Sequence, residues 1–74
     1  MISDQVAGTA GIDLKVQRVR ARVSAVRLAA EMGVVRQRIS QIEALAVVND
    51  DLASRYRDAL VSVTRSAQKA ARVA

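Results

Sequence analysis

The feature that most constrains this chain is a glycine, Gly33, set between two short helical patterns within Ser24–Ala44. Before the glycine, apolar residues recur at the i, i+3, i+4 and i+7 spacing of one helix face: Ala25, Leu28, Ala29 and Met32. Because Gly adopts the left-handed conformation of a helix end without a Cβ penalty, we expect a turn over Gly33–Val35. A second helix should follow and place three residues inward: Ile39, Ile42 and Leu45.

The opposite face of this second helix is polar and carries Arg36, Gln37, Arg38, Ser40 and Gln41. A turn this short makes two helices cross steeply, and Ala29 is small enough to let their backbones approach. The stretch therefore predicts a helix-turn-helix with a polar outer surface.

The composition limits both the fold and the chemistry. A chain of 74 residues has room for one small all-α domain, a compact bundle of about four to five short helices. Without Phe or Trp, its core must consist of Val, Leu, Ile, Ala and Met. The absence of Cys and His removes thiolate and imidazole ligands and the commonest general base. We therefore expect no enzyme activity, no metal and no cofactor, with Tyr56 in a helix core and Asp50 and Asp51 at a helix start.

The charge distribution favours a polyanionic partner. The formal net charge is +5, and between Leu14 and Arg38 the only acidic residue is Glu31. A basic surface of this kind raises the local concentration of nucleic acid. No apolar run is long enough to span a bilayer, and the first residues lack the features of a signal peptide. We expect a cytoplasmic protein with no membrane partner and no evident small-molecule ligand.

Along the chain, residues 1–12 are expected to form a flexible lead-in, and residues 13–74 the domain with a helical C-terminal extension. Asp13 is a plausible N-cap of the first helix, whose apolar stripe would be Leu14, Val16, Val19 and Val23. The last helix should start at Asn49, with two carboxylates in its first turn. Its predicted buried face is Leu52, Tyr56, Leu60 and Val63.

Two segments leave alternatives open. The apolar run 44–48 either continues the second helix of the pair or is covered by other residues. Leu45, Val47 and Val48, with Val61, Val63 or Val73, either bury against a second copy in a homodimer or complete the monomer core. The basic residues Arg65, Lys69 and Arg72 near the C-terminus either contact DNA or only keep the protein in solution.

The segment 28–43, LAAEMGVVRQRISQIE, resembles the helix-turn-helix of the lambda-repressor-like superfamily, which includes phage repressors, Cro proteins and Xre-type bacterial regulators. The resemblance covers roughly Leu14 to Val63. The positions that carry it are Ala29, Gly33, Val34, Ile39, Ile42 and Glu43.

The resemblance implies that a recognition helix, at about 36–44, enters the major groove of operator DNA. By position, the residues that contact bases would be Arg36, Gln37, Ser40 and Gln41. The residues at the DNA backbone would be Arg20, Arg22, Ser24, Ala25, Arg27 and Arg38. It also implies an internal salt bridge between Arg18 and Glu43.

The implied function is a sequence-specific regulator of transcription, most concretely a Cro-like or small phage repressor in a bacterial cell that binds double-stranded operator DNA as a homodimer. A helical protein-binding module, such as an antitoxin, is the alternative, and an amphipathic protein at a membrane surface is a third. The chain departs from the family pattern in three places. One is the loop after the recognition helix, often basic and phosphate-binding in relatives, which here is apolar and then acidic at Asp50 and Asp51. Val35 stands where Ser or Thr usually caps the recognition helix, and Ala25 replaces a common Gln.

Overall fold

The computed structural model describes residues 9–73, and the side chains of residues 9–69. Most of the predicted lead-in, and the side chains of Arg72 and Val73, therefore lie outside the described residues. The described part contains four helices: α1 (Gly11–Arg20), α2 (Ala25–Met32), α3 (Arg36–Ala44) and α4 (Asp50–Val73). An isolated antiparallel bridge joins Thr9 to Val48. The predicted all-α bundle is confirmed.

The first helix begins at Gly11, three residues earlier than an N-cap at Asp13 predicts. Its N-cap is Ala10, which makes no side-chain capping bond, and Asp13 lies in the first turn. Gly11 N donates to Leu45 O at 2.9 Å, and a Cβ built on Gly11 would lie 2.5 Å from Ile42 O. The start of α1 is therefore set by close backbone contact with the end of α3, and Asp13 as its N-cap was wrong.

The boundary between lead-in and domain also changes. Thr9 N donates to Val48 O at 3.3 Å, and Val48 N donates to Thr9 O at 2.7 Å. The exposed side chain of Arg57 donates to Thr9 Oγ1 at 2.9 Å. Residues 9–12 are therefore part of the bundle.

Helices α1 and α2 end in the same backbone pattern, a Schellman motif around a left-handed residue. At the end of α2 that residue is Gly33, with φ +73, as predicted. Val34 N donates to Ala29 O at 2.9 Å, which closes the motif. At the end of α1 the left-handed residue is Arg22, with φ +60, and Val23 N donates to Arg18 O at 3.1 Å. An arginine thus occupies a position that normally favours glycine.

The core lies between the four helices. Its buried residues are Leu14, Val23, Leu28, Ala29, Ile39, Ile42, Val48, Ala53, Tyr56, Ala59, Leu60 and Val63. Helix α3 ends at Ala44, so the apolar run does not continue it, and Val48 is buried in the monomer. Val48 and Val63 therefore belong to the core of the monomer, and the prediction that they form part of a dimer surface was wrong.

Three residues predicted to face inward are exposed: Val16, Val19 and Leu45. Leu14 and the half-buried Arg18 define the inner side of α1, and at about 100° per residue Val16 and Val19 lie on the opposite side. Val23 is buried, but it follows the end of α1.

The last helix begins as predicted. Asn49 Oδ1 accepts a hydrogen bond from Leu52 N at 2.8 Å, and Asp50 and Asp51 occupy the first turn. Leu52 itself is only half-buried. The described side chains from Arg65 to Lys69 are all exposed, so this part of α4 extends past the core. None of the described helices combines the length and apolarity needed to cross a membrane.

The missing cap at the start of α3 gives a first prediction. Val35 is exposed and extended, and it makes no capping bond, so Val35→Ser should raise the free energy of unfolding by about 1 kcal/mol in urea denaturation. Ser24→Ala is the matched control, because Ser24 Oγ accepts from Arg27 N at 3.0 Å. It should lower the free energy by about 1 kcal/mol. No change for Val35→Ser would contradict the capping argument.

Candidate nucleic-acid interface

The outer surface of α3 is an uncovered polar ridge. Ile39 and Ile42 are completely buried, and the helical rotation places Gln37 and Gln41 on the opposite side of the helix. Arg36 flanks this pair on one side and Arg38 on the other. All of the predicted base-contacting residues are exposed: Arg36, Gln37, Ser40 and Gln41.

The two sides of this ridge border different depressions. Arg38 lines a groove of about 460 Å³ between α2, α3 and α4, together with Glu31 and Asp58. Ser40 lines a smaller hollow against α1, with Ile12 and Lys15. The exposed centre of the ridge lies between them.

A second group of predicted residues surrounds the start of α2. Arg22, Ser24 and Arg27 line one groove of about 750 Å³, which the C-terminal part of α4 borders. Ala25 is half-buried, so only its backbone amide, at the first helical position, suits a phosphate contact. Arg20 is exposed on the last turn of α1. The structure thus brings Arg22, Ser24 and Arg27 together at one groove. Arg38, which was predicted to contact the DNA backbone with them, lies on α3 and borders a different groove.

A largely buried ion pair fixes α3 to α1. Arg18 Nε lies 2.7 Å from Glu43 Oε2, and the two side chains are only 12% and 8% exposed. A second contact of 3.2 Å, from Nη2 to Oε1, makes the pair bidentate. Arg18 Nη1 also donates to Val23 O at 2.9 Å. The pair implied by the family resemblance is therefore present and inside the molecule.

The phenol of Tyr56 completes this network from α4. Its hydroxyl donates to Glu43 and lies 3.2 Å from Leu14 O. Burial raises the pKa of Tyr56 above its ordinary value, and the hydrogen bond to Glu43 raises it further. Tyr56 therefore stays a neutral donor in the helix core, the structural role predicted for it.

The charge of Glu43 is stabilised despite its burial. Burial alone would raise its pKa, but hydrogen bonds from Arg18 and Tyr56 and the charges of Arg18 and Lys15 outweigh that effect and lower it. The hydrogen bond from Glu43 in turn raises the pKa of Arg18, although burial opposes this. Both partners remain ionised in the folded chain.

Sequence reasoning missed the conformation of Arg22. The sequence ARV at 21–23 contains no glycine to mark a left-handed residue, and the predicted apolar stripe ran on to Val23, so no local signal placed a helix end before Arg22. The result is that a basic side chain at the candidate interface is held on a backbone position unfavourable for it.

The comparisons with known proteins add no relatives. No family model, no curated protein and no solved structure matches this chain.

The network of Arg18, Glu43 and Tyr56 predicts how the free energy of unfolding depends on Glu43 and on pH. At neutral pH, Glu43→Gln should lower the free energy of unfolding by about 3–5 kcal/mol, because it leaves Arg18 buried without a counter-charge. Arg55→Ala is the control. It removes an exposed pair with Asp51 and should change stability by less than about 0.5 kcal/mol.

The contribution of Glu43 to the free energy of unfolding should fall in acid. The folded-state pKa of Glu43 lies below its ordinary 4.5, so its contribution is complete above that pH and is lost as the pH falls through the folded-state value. Urea denaturation between about pH 6 and pH 2 should therefore show a loss of stability in acid that is smaller in Glu43→Gln. Equal losses in the two proteins would contradict this role of Glu43.

The backbone at Arg22 gives a separate prediction. Arg22→Gly should raise the free energy of unfolding by about 1 kcal/mol, because glycine has no Cβ to clash in the left-handed region. Arg20→Gly is the matched control, since Arg20 is the last residue of α1. It should lower stability by about 0.5–1 kcal/mol. If Arg22→Gly is instead destabilising, the Arg22 side chain contributes more to the fold than its backbone conformation costs.

Proposed function

We propose that this chain is a sequence-specific, double-stranded DNA-binding regulator of transcription, of the lambda-repressor-like kind. Most concretely, it is a Cro-like or small phage repressor that inserts α3 into the major groove of operator DNA and blocks transcription, in the cytoplasm of a bacterial cell. The observation that carries this proposal is the exposed ridge of α3, with Gln37 and Gln41 at its centre and arginine on both sides.

The chemistry of the ridge suits the edges of base pairs. Gln pairs with adenine N6 and N7, and Arg donates two hydrogen bonds to guanine O6 and N7. An α-helix with its side chains is about 10–12 Å in diameter, and the major groove is about 12 Å wide. Helix α3 can therefore lie in the groove, with Arg36, Gln37, Ser40 and Gln41 contacting bases.

Contacts with phosphates would come from the basic residues next to α2. Arg22 and Arg27 border the same groove as Ser24, and the first amides of α2 attract anions. The Ser24 hydroxyl already accepts from Arg27 N, so we assign the Ser24 and Ala25 contacts to the backbone. Arg20 and Arg38 are the remaining candidates. The exposed residues Asp50 and Asp51 would repel phosphates and belong outside the contact area.

A protein-binding module, such as the antitoxin of a toxin pair, is the second candidate. It is favoured by the exposed apolar side chains outside α3, which include Leu45 and Val47. Such a module would keep the same bundle and use its apolar surface to bind protein.

A selection of bound sequences from random DNA tests the proposal. A regulator returns one sequence, with binding that weakens as salt is raised. Gln37→Ala should then weaken binding to that sequence by about 1–3 kcal/mol and relax one base position. Arg22→Ala should weaken binding to all sequences alike and flatten the salt dependence.

Two outcomes would contradict the proposal in different ways. No retention of DNA at low salt would favour the protein-binding module. Equal effects of Gln37→Ala and Arg22→Ala on selected and random DNA would mean that the base-contacting residues are misplaced.

A further inference from the structure

The outer face of α1 is apolar, and no helix of the described chain covers it. Ile12, Val16 and Val19 follow the i, i+4 and i+7 spacing and are 58%, 42% and 56% exposed. Leu14 and Arg18, on the opposite side of α1, face the core. The three exposed side chains therefore form one stripe along the helix, which we call the α1 stripe.

Charged residues border the α1 stripe asymmetrically. By helical rotation, Asp13 and Arg20 lie along one edge, seven positions apart, and Lys15 lies along the other. Lys15 lines the hollow that Glu43 also lines, so a carboxylate of the same chain lies close to its charge. The edge with Asp13 and Arg20 carries one charge of each sign, and both side chains are exposed.

We propose that the α1 stripe is the contact between two copies of this chain, with the two α1 helices antiparallel across a two-fold axis near Val16. In this arrangement Ile12 lies opposite the partner's Val19, and the two Val16 side chains meet at the axis. The contact is isologous, since each copy contributes the same surface.

The charges on α1 complement those of a second copy in this orientation. A two-fold axis perpendicular to both helices keeps the Asp13 edge of one copy beside the same edge of the other. Asp13 then lies within about 1.5–3 Å, along the helix direction, of the partner's Arg20. Two symmetric ion pairs result. A parallel pairing would instead place the Asp13 and Arg20 edge of one copy beside the Lys15 edge of the other, so Asp13 lies beside the partner's Arg20 only in the antiparallel arrangement.

This surface replaces the dimer contact expected from the sequence. Val48 and Val63 are buried in the monomer, whereas the α1 stripe is open. Leu45, which accepts a hydrogen bond from Gly11 N, lies at the N-terminal end of α1 and is itself exposed. The proposal goes beyond DNA binding and does not depend on it.

Sedimentation equilibrium of the full chain without DNA tests the contact. The mean mass should rise from monomer toward dimer between about 10 µM and 1 mM. Val16→Glu should weaken the dimer by roughly tenfold or more, because it places two carboxylates together at the axis. Val61→Glu is the matched control, since Val61 is 52% exposed on α4, and it should leave the dissociation constant unchanged. A monomer at every concentration, or equal effects of the two variants, would overturn the proposal.

Charge reversal tests the orientation. Asp13→Arg and Arg20→Asp should each weaken the dimer, and the double variant should restore it, because the two ion pairs return with their signs exchanged. Additive losses in the double variant would contradict the antiparallel pairing.

Cross-linking gives an independent measurement. The chain has no cysteine, so in Val16→Cys a disulfide between two protein thiols can form only between two copies: one thiol forms a mixed disulfide with glutathione, and the second displaces it. With oxidised glutathione as the oxidant, Val16→Cys should give a product of twice the mass much faster than Val61→Cys, because residues at the axis approach within disulfide reach. Equal rates would overturn the two-fold contact at Val16.

Discussion

The fold depends on one buried carboxylate. Glu43, near the end of α3, is bound by Arg18 from α1 and by Tyr56 from α4, so a single side chain joins three of the four helices. Removing a charge from water costs several kcal/mol, and only a full set of hydrogen bonds offsets that cost. Here the bidentate guanidinium and the phenol supply that set. A core without Phe or Trp gains from this network the positional constraint that large aromatic side chains would otherwise give.

This constraint also sets the direction of the polar ridge. Glu43 directly follows Ile42 in α3, and the backbone of the same turn touches Gly11 so closely that a side chain there would clash. The rotation of α3 about its axis is thus fixed at its C-terminal end, where both contacts lie. Its N-terminal end lacks a side-chain cap. The orientation of Gln37 and Gln41 therefore follows from tertiary packing more than from local helix signals.

Local patterns predicted the elements that depend on local physics. Gly33 ends α2, Asn49 begins α4, and the start of α3 and its exposed ridge agree with the periodicity of the segment. The periodicity did not predict the end of α3, because Leu45, expected on its inner face, lies past the helix and is exposed. The family resemblance supplied the pairing of Arg18 with Glu43. Non-local contacts were the source of the errors. Arg18 lies on the inner side of α1 because it pairs with Glu43, which is 25 positions away in the sequence. The apolar pattern of α1 does not contain that contact, and it therefore placed Val16 and Val19 on the wrong side of the helix. The start of α1 was predicted wrongly for the same reason, because contact with the backbone at the end of α3 determines it.

The two proposed surfaces compete for one residue. If α1 pairs with a second copy, the guanidinium of Arg20 is used by the partner's Asp13, and it cannot bind a phosphate at the same time. Arg22 and Arg27 lie outside the α1 stripe and remain free for DNA in the same dimer. Arg22 adopts the left-handed conformation at φ +60, where glycine would fit the backbone at lower cost. In the proposed dimer, the proposed phosphate contacts would therefore lie on the turn between α1 and α2, and the outer face of α1 would form the contact between the two copies.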